Sequence, residues 1–205
     1  MRVRAYTLNV NVGHAPCWMY DEAKGFEVLT LANCKPPVRE AAECCEWIAG
    51  VTPTRMTARL AYLMRIDRRL SREDYWKEYR RRRLDSIYEP IANGGWYRHK
   101  NPWHKDQESF DRDLSSNIVL WSKRFRVFSN SYTEQNTVPQ GLTIDPKYSI
   151  LERGGMRGAG HFLELPDDFL AWVDVHINLN LGEFDVLGDF AVRLAECRKN
   201  EPKSI

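Results

Sequence analysis

The chain lacks several features that would define a protein class at once. It has no apolar run near the roughly 20 residues of a membrane-spanning helix, no internal repeat and no low-complexity tract. Nothing at the start resembles a signal peptide, because Arg2 and Arg4 run directly into alternating polar residues. Five cysteines are present, with no Cys-x-x-C spacing and one adjacent pair, Cys44-Cys45. An odd count without framework spacing speaks against a disulfide scaffold and for reduced thiols. The expectation is a cytoplasmic protein that does not enter a membrane. The net charge is only +2, so overall charge excludes no partner, although basic residues concentrate between Arg55 and Lys105.

Catalytic signatures are missing as well. There is no Gly-x-Ser-x-Gly, and no cysteine sits in a local pattern of nucleophilic activation. His14, His99, His104, His161 and His176 show neither His-x-x-x-His nor His-Glu-x-x-His spacing, so no metal site and no cofactor is expected. Gly155 and Gly160 have the spacing of a phosphate loop, but His161-Phe162 stands where Lys-Ser/Thr is required. That segment, Arg153 to His161, is either a plain turn cluster or a glycine loop able to close over an anion.

What is present describes a globular chain. With 205 residues, 43% hydrophobic and 12% aromatic, it is long enough for one sizeable domain. Thr30 to Val51 reads as strand, Cys-Lys-Pro-Pro corner, short helix and strand. Pro36 and Pro37 suit a first helical turn; Val38, Ala41, Ala42 and Cys45 form the inward stripe, with Arg39 and the glutamates opposite. Strands are expected at Val3–Val12, Phe26–Leu31, Ala58–Ile66, Asn117–Trp121, Phe125–Phe128 and His161–Leu165, with a turn over Asp67–Leu70. Ser71 followed by Asp74 caps a helix carrying Tyr75, Trp76 and Tyr79 inward and ending in Arg80–Arg83. From Asp85 to Phe110 periodicity is lost. Helices follow from Pro166 to about Val175 and from Glu183 to Cys197. The class is α+β, with a domain over 1–165 and a helical C-terminal extension over 166–205 packed on it.

Two features point to ligands. Trp96-Tyr97-Arg98-His99-Lys100, continued by Trp103-His104-Lys105, interleaves flat rings with cations, as stacking on bases beside phosphates requires. The same segment is also compatible with an irregular loop anchored by its aromatics. Lys35 and Arg39 lie where the corner meets the helix start. The Arg80–Arg83 run fits a nucleic-acid footprint, but equally a solvated helix end with a Glu78–Arg82 pair. Asp111 and Asp113 would share one side of a strand, without specified partners.

An ordered set of segments resembles the second class of nucleotide modification associated domains. The matching residues are Gly13-His14-Ala15-Pro16, Thr30 to Pro36, Arg39, Trp47 to Gly50, Arg59 to Arg65, Tyr75-Trp76, Tyr97-Arg98-His99, Asp113 and Arg157 to His161. Cys45-Glu46-Trp47 departs from the family's usual Gly-Asp-Trp. The strand-helix-strand pattern is also similar to the PUA-like group, small curved sheets or open barrels whose members bind bases in a pocket. This resemblance implies a module that binds a modified or unusual nucleobase, in DNA or a nucleotide, within base modification or phage defence. Nucleic acid or nucleotide would be the ligand, and base-modification enzymes potential partners. Trp47, Trp96 and Tyr97 would border the base, Lys35, Arg39, Arg98 and Arg157 would hold phosphates, and His14, His99 and His161 would read base edges. The alternative is an enzyme using His99, His161 and Asp113 as acid–base groups.

Overall fold

The structure, a computed structural model, describes residues 1–8, 16–52, 58–101, 104–128, 141–154 and 162–180. In chain order its strands are β1 (Arg2–Thr7), β2 (Cys17–Asp21), β3 (Phe26–Leu31), β4 (Trp47–Val51), β5 (Arg59–Arg65), β6 (Arg68–Ser71), β7 (Tyr88–Pro90), β8 (Trp96–Arg98), β9 (Ile118–Ser122), β10 (Arg124–Val127), β11 (Leu142–Thr143) and β12 (Phe162–Glu164). The helices are α1 (Pro36–Ala41), α2 (Arg72–Tyr79), α3 (Gln107–Leu114), α4 (Ile150–Gly154) and α5 (Phe169–Asn180). One sheet runs β10-β5-β4-β1-β12, with β11 also on β5; a second runs β2-β3-β9-β6; β7 and β8 form a separate hairpin. Every pairing is antiparallel except β1 with β4. The fold is α+β, with open sheets and no closed barrel.

Alternation along the strands divides the apolar residues among three cores. Val3, Ala5, Ala49, Leu63 and Leu163 face one side of the first sheet and meet Tyr148, Leu151, Phe169 and Val173. Tyr6, Ile48, Tyr62 and Met64 face the other side, against Leu29, Leu31 and Leu120 of the second sheet and Val38 and Ala42 of α1. The far side of the second sheet packs Val28, Val119 and Trp121 against Tyr75 and Tyr79 of α2. Both faces of both sheets are therefore covered near their centres. Phe169 and Val173 bring α5 into the first core; the helix expected at Glu183–Cys197 lies outside the described residues.

Several local expectations change in tertiary context. β3 and β4, joined through α1, lie in different sheets, so the short connection is a crossing between layers. Arg39, expected on the polar face of α1, is fully buried, whereas Cys45 is exposed at a φ of 72°. Asp67–Leu70 is no simple turn, because Arg68 begins β6. The aperiodic stretch Asp85–Phe110 contains a hairpin and the start of α3, so Asp111 and Asp113 stand on a helix. The arginine run divides: Arg80–Arg82 form a 3-10 turn, but Arg83 is buried and donates to the carbonyl of Cys17 at 2.7 Å and to Thr30 Oγ1 at 3.0 Å. Glu78 pairs with Lys24 and Arg68, not with the Arg82 side chain, which turns to the Glu78 carbonyl.

Gly50 marks a tight point in the first sheet. It opposes Tyr62, and a Cβ there would lie 2.1 Å from the Tyr62 ring. The ring cannot retreat freely, since its hydroxyl donates to Tyr6 at 2.6 Å within a closed core. Gly50→Ala is expected to cost about 1–3 kcal/mol through overpacking, read as a lowered urea midpoint at unchanged slope.

Candidate functional site

The corner after β3 is shaped by its sequence. Leu31 and Ala32 are buried, and Pro36-Pro37 must start a helix, so the chain has to turn within three residues. It does so with two consecutive left-handed non-glycine residues, Cys34 at φ 56° and Lys35 at φ 46°. L-residues hold this conformation only when surrounding contacts impose it. Here the Cys34 N–H donates to Asp113 Oδ1 at 2.7 Å, and the Cys34 carbonyl accepts from Arg39 Nε at 2.8 Å.

Asp113 is delivered by α3, which is capped by Asp106 accepting from the Ser109 N–H at 2.7 Å. The other end of α3 meets two buried guanidinium groups. Arg39 donates to the carbonyls of Asp113, Ser116 and Ile118; Arg72 donates to those of Asp113, Ser116 and Ala32 and to Asn33 Oδ1. Cations suit the unsatisfied carbonyls at a helix C-terminus. Burial, with the neighbouring Arg72, pushes the Arg39 guanidinium down from its usual range, while the Asp113 carboxylate works in the opposite sense.

Three groups then converge. His104 Nδ1 lies 2.5 Å from Asp113 Oδ2, and His104 Nε2 lies 4.0 Å from Cys34 Sγ. Tyr88 donates to the same Oδ2 at 2.8 Å, and the His104 backbone N–H donates to Asn101 Oδ1 at 3.1 Å. Arg112 Nη2 stands 3.9 Å from the sulfur. His104 and Asp113 are buried, and Cys34 is half-buried. Burial works against the imidazolium, but its contacts with Asp113 and Cys34 prevail and raise His104 to about 9. Burial also opposes the Asp113 carboxylate, yet His104, the Cys34 N–H and Tyr88 hold it below its ordinary value.

The order thiol, imidazole, carboxylate is that of nucleophile, base and orienting acid. The ligand atoms of Cys34, His104 and Asp113 also lie within 4.8 Å of one another, the one such group of metal-ligating type among the described residues. Direct ligation by Asp113 would compete with its contacts to Cys34, Tyr88 and His104. Left in place it would stand behind the histidine, with only Cys34 and His104 to bind an ion, short of the usual three protein ligands of a catalytic zinc.

The residues singled out in the sequence are dispersed around this centre. Lys35 adjoins Cys34, with its ammonium 5.3 Å from the Tyr6 ring centre. Arg39 is 0% exposed and committed to carbonyls, so it holds the corner in place. Trp47 packs against the core on the α4–α5 side of the first sheet. The hairpin separates its own residues by strand alternation. Tyr88 and Arg98 are paired across it; Tyr88 contacts Phe110 and Asp113, while Arg98 lies over Phe110 and donates to the carbonyls of Lys105 and Asp106. His99 instead stacks on Trp76 at 5.1 Å and pairs with Glu89 at 2.8 Å, with half-exposed Tyr97 edge-on to it. Trp96 is half-buried at the hairpin's outer end. His14, Arg157 and His161 lie outside the described residues.

Cys34, His104, Asp113 and their supports Tyr88 and Arg112 were not legible as a chemical unit, being separated by 70 and 79 residues from the thiol to its partners. The available hint was a cysteine placed immediately before Lys-Pro-Pro, where neither packing nor turn propensity calls for one.

Because His104 is raised above the roughly 6.5 of a free imidazole, its contribution to stability is complete below that pH and is lost as pH rises through about 9. Asp113 acts in the opposite sense: lowered on folding, it contributes above the ordinary carboxylate range and loses that contribution in acid. Asp113→Asn is expected to move the His104 titration, followed by the imidazole proton resonances, down toward or below 6.5, and to remove the stability loss between pH 6.5 and about 9. A His104 resonance still titrating near 9 in that variant would show that Asp113 is not its partner.

No match was found among curated proteins or among solved structures. The family model described as nucleotide modification associated domain 2 matches residues 1–181, most of the chain and all of the residues that build this centre. The chain therefore belongs to the nucleotide modification associated domain 2 family, and its context is nucleotide modification.

Proposed function

We propose that this domain is an enzyme of nucleotide or nucleobase modification that works by covalent thiol chemistry. Cys34 is the nucleophile, His104 the acid–base group, and Asp113 the group that orients and charges the imidazole. The observation that carries this reading is the convergence of Cys34 Sγ on His104 Nε2 at 4.0 Å and of Asp113 Oδ2 on His104 Nδ1 at 2.5 Å. A thiolate is the reactive form of cysteine, and an adjacent imidazolium stabilises it. In the step proposed, the Cys34 thiolate bonds to the electrophilic carbon of a group carried by a donor, and the bond from that carbon to its leaving heteroatom breaks. The leaving heteroatom takes the proton from His104. A nucleophilic atom of the acceptor base or nucleotide then bonds to the same carbon, the carbon–sulfur bond breaks to return the thiolate, and the acceptor's proton passes to His104. Such chemistry requires the thiol to stay reduced, in keeping with a cytoplasmic setting, and DNA base modification or phage defence is the biological context that fits the family.

A second reading, recognition of a modified base by a PUA-like pocket without catalysis, draws on a different surface. Tyr97, half exposed beside the stacked His99 and Trp76, offers a flat ring for a base. The two readings differ in what they ask of Cys34. With iodoacetamide and peptide mass spectrometry, Cys34 is expected to alkylate faster at pH 6 than the more exposed Cys44 and Cys45, with His104→Gln removing that advantage. Cys34→Ala is expected to abolish conversion of a nucleotide pool supplemented with cell extract while the fold is retained. Equal or lower reactivity of Cys34 at every pH would remove the covalent mechanism and leave the binding module.

A further inference from the structure

We infer that Lys35 and Arg112 form an anion subsite beside Cys34, which holds a phosphate ester of the molecule presented to the thiol; this rests on the reading of Cys34 as the reactive group. Three lysines among the described residues have carboxylate partners. Lys24 meets Asp21 and Glu78, Lys77 meets Glu73, and Lys147 meets Asp168. Lys35 has none among the described residues. Its ammonium lies over the ring of Tyr6, which is fixed by a 2.6 Å hydrogen bond from Tyr62, and its charged neighbours are the Cys34 sulfur and the Arg112 guanidinium.

Arg112 also stands beside the sulfur, with a long ion pair to Asp113. Its Nη2 donates to Ser109 Oγ at 3.1 Å and stands 3.9 Å from the sulfur, leaving the side chain 41% exposed. Its Nε pairs with Asp113 Oδ1 at 3.8 Å, an oxygen that also accepts the Cys34 N–H at 2.7 Å. Burial and the neighbouring guanidinium both press the Lys35 ammonium downward from its ordinary value. The Lys35 charge stays disfavoured despite the neighbouring sulfur, and a phosphate supplies charge and acceptor oxygens for both cations beside the thiol. Lys acts there as a point charge and Arg as a fork. Arg39, three residues from Pro36, is excluded because its donors are filled by carbonyls. The phosphate can belong to a free nucleotide or to a DNA backbone, and the chemistry of the subsite is the same for both.

The test is protection of Cys34 from iodoacetamide at constant ionic strength, each protein compared with its own unprotected rate. The probes are inorganic phosphate, a deoxynucleoside 5′-monophosphate, the matching deoxynucleoside and a short single-stranded deoxyoligonucleotide. Phosphate-bearing probes are expected to protect and the deoxynucleoside not to. Lys35→Met and Arg112→Gln should each raise the half-protecting concentration about tenfold or more, as for loss of one charge-assisted contact. Stronger protection by the oligonucleotide than by the monophosphate identifies a backbone phosphate, and the reverse order a free nucleotide. Equal protection by nucleoside and monophosphate, or wild-type protection in the Lys35→Met/Arg112→Gln double variant, overturns the subsite. Neither result bears on whether unprotected Cys34 outpaces Cys44 and Cys45, which tests the thiol mechanism by itself.

Discussion

The Asp113 carboxylate is the constraint on which the centre depends. One oxygen fixes a left-handed cysteine by its backbone N–H, and the other receives Tyr88 and His104. A buried carboxylate is tolerable only when its lone pairs are occupied and charge is compensated. The groups that satisfy Asp113 come from the corner after β3, from the root of the hairpin and from the loop entering α3. One acidic side chain thereby joins three segments distant in sequence, and the reactive geometry is a consequence of satisfying it.

Arg39 and Arg72 make that placement possible from behind. Their guanidinium groups lie between the corner and the end of α3, donating to carbonyls on both sides. Five donors in a rigid plane let one side chain hold two backbone segments in register. A third buried arginine, Arg83, acts similarly across the second sheet with Asp85, Tyr75 and Thr30. This protein thus uses buried arginines as internal braces, which explains why clusters of basic residues in its sequence are an unreliable guide to an exposed nucleic-acid footprint.

Much of the scaffold was legible in the sequence. Phe26–Leu31 and the Pro36 helix start coincide with β3 and α1, Ser71 caps α2, and the strands around Arg59–Arg65, Ile118–Ser122 and Arg124–Val127 lie where alternation places them. These features are local: a proline restricts its own φ, a serine caps the next turn, and alternation of side chains reports a half-covered strand. Asp85–Phe110 was not legible, because its hairpin and the start of α3 are too short to show a period and are held by Tyr88, Arg98 and His99 contacting residues elsewhere.

The sequence by itself determined the α+β class, the family and the position of a sharp basic corner after β3. Tertiary structure alone decided what that corner does. Arg39 turned inward because α3 ends against it with unsatisfied carbonyls, and Lys35 lies over the Tyr6 ring without a carboxylate partner among the described residues. Cys34, without any local motif, gained an imidazole and a carboxylate from 70 and 79 residues away. Chemistry of this kind depends on distances between side chains, and those are set by how sheets and helices pack, which periodicity along a chain does not encode.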